Sequence, residues 1–344
     1  MSGEDAAPAV RRVAVAGAGL MGSGIAAELA LRPGEVESVR LWDPAPGAAD
    51  RAVAGAGAVA EALVAAGVLD AAVAQARLTR LGAAPTLAAA LEGAEYVAEA
   101  APEDLPLKQA LFAQLDAAAA PEAVLASNTS GYDPAALAAG TKRPERVLVA
   151  HYFAPAYLIP LVEVVPHAAT ASWAVERTVA LLAAAGKRPV RLERFVPGFV
   201  ANRLQQALFR EALFLLREGI APAEAIDSVV RYSFGPRLAA LGPFAVADFA
   251  GHDVYAALAT NVWPTLSAES AAGALPPELA ASLAQGRLGA KSGAGFYPWP
   301  EDRRRRATAR RDGALRAVLQ AEAGPARDGA DAPGRRRGRA TAEE

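Results

Sequence analysis

Residues 12–43 constrain this chain more than any other stretch. Residues 12–17 (RVAVAG) are a short, valine-rich apolar run ending in glycine, which predicts a buried strand. Residues 20–31 carry Leu, Met, Ile and Ala among helix formers and stop at Arg32-Pro33-Gly34, so they predict a helix with a defined end. Residues 38–42 (SVRLW) predict a second strand, and Asp43 follows at once. Between the first strand and the helix stand Gly17, Gly19 and Gly22. A backbone that turns sharply, lets an anion approach its N–H groups and packs helix against strand needs residues without side chains at those places. Strand, glycine turn, helix, strand and acid form the first βαβ unit of a dinucleotide-binding fold. The pyrophosphate is expected at Gly17, Gly19, Leu20, Met21 and Gly22. A carboxylate at Asp43 can accept hydrogen bonds from the adenosine ribose and would repel a 2′-phosphate, and Pro44, Ala45 and Pro46 bring no cation after it. The expected cofactor is therefore NAD rather than NADP. A chance glycine-rich turn is the competing reading, and the flanking strand, helix and acid weigh against it.

The alternation continues along the chain. Residues 96–100, 123–126, 146–150, 161–165 and 189–192 are short apolar runs that predict strands, and residues 48–76, 105–119 and 172–185 predict helices. Strands alternating with helices imply an α/β class: an N-terminal Rossmann domain over residues 12–194, its mostly parallel sheet covered on both faces. From Phe195 the strand signals stop, and residues 195–300 predict an all-α C-terminal domain that begins at Pro197-Gly198. Residues 1–11 are expected to be a disordered N-terminus. Residues 301–344, with Arg303 to Arg306 and Arg335 to Arg337, are expected to be a mostly disordered Arg-rich tail with one helix near residues 315–322.

Composition removes several chemistries. The chain has no cysteine, so disulfides, thiol nucleophiles and thiolate metal sites are absent. Its three histidines, His151, His167 and His252, leave little room for a multi-histidine metal centre, and no metal is expected. A formal net charge of -2 points to neither nucleic acid nor an anionic membrane as partner, and the Arg-rich tail reads as a solvated segment. With no signal-peptide pattern and no convincing membrane span, the expected location is the cytoplasm.

His151 follows the strand at residues 146–150, at an edge where open α/β sheets bind ligands. Glu163 lies inside the apolar text LVEVV at residues 161–165. A glutamate in a buried strand is costly unless paired, and a partner histidine held in one tautomer is suited to general base work. Two readings stay open from these residues alone: an acid–base pair, or a satisfied structural histidine with Glu163 facing solvent. His167, in a Pro-His-Ala turn, is expected to be exposed. His252 is expected at a helix boundary, capping it or facing solvent.

Several ordered motifs resemble the L-3-hydroxyacyl-CoA dehydrogenase family, from about Arg12 to Trp299. They are GAGLMGSGIA at 17–26, EAAPEDLPLK at 99–108, SNTS at 127–130, HYFAP at 151–155, LVEVV at 161–165, PGFVANRL at 197–204, LGPFAVADFAG at 241–251 and GAKSGAGFYPW at 289–299. The resemblance implies that His151 is the catalytic histidine, Glu163 its partner, Ser130 the serine that bonds the reacting oxygen, and Asn202 the asparagine that completes the site. It implies further cofactor contacts from Glu103, Lys108, Ser130 and Lys291, and a homodimer formed through the helical domain. Against these stand plain alternatives: Ser130 as a turn cap, Asn202 on an exposed helix face, Glu103 and Lys108 as a solvent-facing helix start. The family usually reads His-Phe-Phe-Asn-Pro where this chain has Ala154, which removes one side-chain hydrogen bond of about 1–3 kcal/mol. Tyr157-Leu158-Ile159-Pro160 looks more like branches acting on free hydroxy acids, such as L-gulonate or carnitine dehydrogenases. The implied function is NAD-dependent interconversion of an L-3-hydroxyacyl thioester, on CoA or a carrier, and its 3-oxo form, with a place in fatty acid metabolism. The alternatives are a dehydrogenase of a free 3-hydroxy acid and an NAD-binding protein with little catalysis.

Overall fold

Val13 and Val15 of β1 (Arg12–Ala16) pack into one layer of helices, and Ala14 and Ala16 into the other. Successive side chains on a strand point to opposite faces, so a strand covered on both sides reads as an unbroken apolar run. The computed structural model describes residues 9–267 and 275–323. After β1 come α1 (Leu20–Leu31), β2 (Ser38–Trp42), α2 (Ala48–Ala65), α3 (Ala71–Leu78), β3 (Leu81–Ala83), α4 (Leu87–Leu91), β4 (Tyr96–Glu99), α5 (Leu105–Ala118), β5 (Val124–Ser127) and α6 (Pro134–Ala138). Then follow β6 (Val147–Tyr152), β7 (Leu161–Val165), α7 (Ser172–Ala184) and β8 (Arg188–Arg191). The sheet order is β3-β2-β1-β4-β5-β6-β7-β8. Strands β1 to β6 run parallel in the doubly wound Rossmann order, and only the β6–β7 pairing is antiparallel. Helices α1, α2, α3 and α7 cover one face; α4, α5 and α6 cover the other.

The register levels the carboxyl ends of the central strands. Ala16 pairs with both Trp42 and Glu99, and Glu99 pairs with Ser127. Gly17, Asp43, Ala100 and Asn128 therefore leave the sheet side by side. The order reverses between β1 and β4, the crevice where such sheets bind ligands.

Among the described residues the remainder is mainly helical: α8 (Ala201–Arg217), α9 (Ala223–Tyr232), α10 (Phe234–Leu241), α11 (Pro243–Ala250), α12 (His252–Val262), α13 (Pro277–Ala284) and α14 (Glu301–Ala323). Among the described residues no helix is long and apolar enough to cross a membrane.

The structure corrects several expectations. The single helix expected over residues 48–76 is two, broken where Gly67 takes a φ of 67°. The edge strand β3 lies outside the expected strands, because three residues of Leu-Gly-Ala carry no alternation to read. Strand β6 runs on to Tyr152, so His151 lies within it. Within the expected disordered N-terminus, Val10 is buried in the core, and Arg11 pairs with Glu37 at 2.6 Å and Glu35 at 3.4 Å; residues 1–8 lie outside the described residues. The expected Arg-rich tail is helical over α14, which begins with Glu301 and Asp302. Acids at a helix start favour its dipole, and they pair along the helix with Arg304 and, at 2.7 Å, with Arg306. An exposed polar helix has the same composition as a polar coil, so the sequence reading could not separate them. Residues 324–344, including Arg335 to Arg337, lie outside the described residues. His167 is half-buried rather than exposed, with its Nε2 3.1 Å from the Pro144 carbonyl.

Candidate active site

The glycine turn has the shape its spacing predicts. Gly17 adopts a φ of 109°, and a Cβ there would lie 2.6 Å from the Ala100 carbonyl oxygen. A Cβ on Gly22 would meet the Gly17 carbonyl oxygen at 1.8 Å. At Gly19 an added Cβ would meet nothing within 4 Å, so the space beside it is open. Gly19 caps α1 with no side-chain hydrogen bond, and the first turn holds no acid. Leu20 is exposed and Met21 half-buried beside it. Free N–H groups at a helix start, next to open space, fit the pyrophosphate of NAD. Asp43 Oδ2 accepts from the Ala18 N–H at 2.7 Å and Oδ1 from the Ala45 N–H at 2.8 Å. The acid thus braces the turn at the end of β2, where a ribose would lie.

On β6 and β7, His151 and Glu163 are register partners. Both are buried, and His151 Nδ1 lies 2.9 Å from Glu163 Oε2. The other carboxylate oxygen, Oε1, accepts from the backbone N–H groups of Val200 at 3.0 Å and Ala201 at 2.9 Å, at the start of α8. Burial alone would raise the Glu163 pKa. The His151 bond, the Ala201 and Val200 N–H groups and the charge of His151 outweigh it and hold the carboxyl below its ordinary value. An ionised carboxylate can only accept, so Nδ1 carries the hydrogen, and in the neutral ring Nε2 is then the nitrogen with the lone pair. Phe153, at 4.4 Å between ring centroids, and Phe199, at 5.3 Å, flank the imidazole. The reading in which Glu163 faces solvent is thereby overturned.

Ser130 and Asn202 come together at the end of β5. The Asn202 side-chain amide donates to the Ser130 carbonyl at 3.5 Å, and Asn202 directly follows Ala201. Asn128 Oδ1 accepts from the Tyr152 N–H at 2.8 Å, which ties this loop to the end of β6. Glu103 braces the same loop: its Oε1 accepts from the Ser130 N–H at 3.0 Å and from the Thr129 hydroxyl. Lys108 is not the solvent-facing helix residue of the plain alternative. It is buried, and its ammonium donates to Glu99 Oε1 at 2.7 Å and to the Ala101 carbonyl at 3.1 Å. Glu99 also accepts from the Ser127 hydroxyl. Lys108 and Glu99 thus form a foundation beneath the loop that carries Ser130.

Lys291 lies apart from this group. It is exposed in a short turn of the helical segment and lines a pocket with Leu279, Leu283, Phe296 and Trp299, to which the sheet edge contributes no residue. Ala154 is exposed and follows Phe153 in the connection between β6 and β7. His252 opens α12, exposed, with its Nε2 2.6 Å from Asp248. The amides of Val200 and Ala201 and the two phenylalanines were missed by sequence reasoning. Pro197-Gly198 marked a helix start, yet nothing local indicated what that start would face.

The chain matches known proteins over most of its length. The family model described as 3-hydroxyacyl-CoA dehydrogenase, NAD binding domain, matches residues 12–195, and the model of that enzyme's C-terminal domain matches residues 198–299. L-carnitine dehydrogenase of Streptomyces griseus is 44% identical over 242 residues, 70% of this chain and 70% of that protein. 3-Hydroxyadipyl-CoA dehydrogenase of Escherichia coli K12 is 40% identical over 295 residues, 86% of this chain and 60% of that protein. The solved structure of 5-formyl-3-hydroxy-2-methylpyridine 4-carboxylic acid 5-dehydrogenase, an NAD+-dependent dismutase, has a TM-score of 0.84 at 30% identity, covering 92% of this chain and 99% of that one. The chain belongs to the 3-hydroxyacyl-CoA dehydrogenase family and is an NAD-dependent dehydrogenase acting on CH–OH groups.

Proposed function

We propose that this chain oxidises the secondary hydroxyl of a small, free 3-hydroxy acid, and reduces the corresponding ketone, with His151 and Glu163 as its acid–base pair. The observation that carries the reading is the 2.9 Å contact of His151 Nδ1 with Glu163, which leaves Nε2 able to take a proton. His151 Nε2 accepts the hydroxyl proton during oxidation and returns it during reduction. Glu163, ionised, stabilises the imidazolium that forms. The Ser130 hydroxyl and the Asn202 amide orient the substrate oxygen. NAD supplies, when bound, the acceptor for the hydride leaving the carbinol carbon. Gly17, Gly19, Leu20, Met21 and Gly22 would hold its pyrophosphate and Asp43 its ribose, with Glu103 and Ser130 as further contacts. Lys108 acts from behind that loop, and Lys291 has the weakest claim to a cofactor contact.

Ala154 departs from the family's asparagine and so weighs against the usual thioester, residues 157–160 resemble the free-acid branches, and relatives named as carnitine dehydrogenases support a free acid. A thioester is the second reading, supported by the likeness to 3-hydroxyadipyl-CoA dehydrogenase over 86% of the chain. A homodimer through the helical segment is part of the proposal: Phe244 and Phe249 of α11 are 86% and 82% exposed, as is usual for an apolar face awaiting a partner.

The test is NADH absorbance with a panel pairing carnitine, L-gulonate and 3-hydroxybutyrate with 3-hydroxybutyryl-CoA and 3-hydroxyadipyl-CoA. The expected result is a kcat/KM for one free acid at least about tenfold above any thioester; the opposite order moves the assignment to the second reading. His151→Gln is expected to lower kcat by about 10²–10⁴-fold while NADH still binds. Undiminished turnover in that variant would overturn the acid–base assignment.

A further inference from the structure

Tyr152 and Val162 point to the face of the sheet opposite His151 and Glu163, toward α1 and α7. Lys187, just before β8, is buried on that face. Its ammonium lies 2.8 Å from Glu28 Oε1 on α1 and 6.0 Å from the centroid of the Tyr152 ring. It also donates to the Ala156 carbonyl and, at 3.1 Å, to the Ile159 carbonyl. Both carbonyls belong to residues 153–160, the connection between the strand that carries His151 and the strand that carries Glu163. The same connection holds Phe153, whose ring packs at a tilt against His151, and Ala154.

Glu28 has a second partner, Arg32 Nε at 2.9 Å. Burial pushes the Lys187 pKa below its ordinary value, against the charge and hydrogen bond of Glu28. A buried ammonium is costly, and an apolar side chain of similar volume usually serves stability as well or better. What an apolar side chain cannot do is hold two backbone carbonyls at fixed points. Helix α1 presses on the same connection directly: a Cβ on Gly24 would lie 3.3 Å from the Ala156 Cβ.

We propose that Lys187 is a positioning residue for the acid–base pair, tying the dinucleotide helix α1 to the connection that joins His151 and Glu163. The inference rests on the reading of His151 and Glu163 given above. Its ammonium touches no reacting atom; it fixes where Phe153 and the ends of both strands stand. Loss of the ammonium lets the connection shift, and His151 no longer meets the substrate hydroxyl at the right distance.

Lys187→Met tests this, because it keeps the length of the stem, and Glu28 keeps Arg32 as a partner. Steady-state kinetics on the best substrate of the panel, NADH titration by fluorescence and a thermal melt are read on the same preparation. The expected result is a 10- to 100-fold fall in kcat/KM, mostly in kcat, with NADH affinity within about twofold of the parent. Unchanged kcat/KM in a folded variant, or a loss of NADH affinity equal to the loss of kcat/KM, overturns the proposal. Should Lys187→Met not fold, Gly24→Ala is judged by the same two readings, since it disturbs Ala156 from α1 without removing a charge. The two levels fail separately: an active His151→Gln removes the acid–base reading, whereas an inactive His151→Gln beside an unimpaired Lys187→Met removes only the role of Lys187.

Discussion

Glu163 accepts from His151 on one oxygen and from the Val200 and Ala201 amides on the other. Those donors make the buried carboxylate tolerable and hold its pKa below the ordinary value of 4.5 despite burial. Asp116 is a second case: burial raises its pKa, but the Arg146 hydrogen bond, the Lys142 N–H and the charges of Arg146 and Arg143 lower it further. A carboxyl with a lowered folded pKa contributes stability that is fully present above its unfolded pKa and is lost as pH falls through the folded one. Thermal midpoints are therefore expected to hold from neutral pH down to the ordinary carboxylate range and fall below it. Glu163→Gln is expected to start from a lower midpoint and to show a shallower fall on the acid side, because one group no longer titrates. Parallel acid limbs for parent and variant would show that Glu163 does not contribute.

At the scale of elements, the start of α1 separates two kinds of glycine. Gly19 has an extended backbone, φ -70° and ψ -172°, that any residue can adopt, and open space beside it. Gly19→Ala is expected to leave the melting temperature nearly unchanged and weaken NADH binding on the order of tenfold, because the methyl enters the space of the pyrophosphate. Gly22→Ala places a methyl against the Gly17 carbonyl and is expected to destabilise the domain by about 3 kcal/mol. A melt and an NADH titration on both variants check this; equal melting temperatures would contradict the packing role of Gly22. Strands β6 and β7 make a different point. The text LVEVV reads identically as a strand running either way, so nothing local predicts that β7 turns back against β6. That reversal sets Glu163 opposite His151.

At the scale of the molecule, the helical segment leaves large apolar side chains uncovered, among them Tyr232, Phe244, Phe249 and Trp263. The proposed homodimer predicts that Phe249→Glu raises the dimer dissociation constant on the order of 30-fold or more, measured by sedimentation, while NADH still binds. A monomeric parent chain would remove that proposal.

The sequence by itself determined what depends on neighbours along the chain. Residues 12–43 specify strand, turn, helix and acid through local rules of burial, backbone freedom and charge, so the Rossmann unit and its preference for NAD were legible there. The strand–helix alternation and the onset of the all-α segment were legible for the same reason. Tertiary structure decided what depends on partners far along the chain. Lys108 and Lys187 look like surface lysines in the sequence; Glu99, Glu28 and backbone carbonyls bury them. The start of α8 was visible at Pro197-Gly198, but only the fold aims its N–H groups at Glu163. His151 and Glu163, the proposed acid–base pair, stand out in the sequence, whereas their contact required a strand reversal, and only the fold brings the start of α8 to the same buried carboxylate.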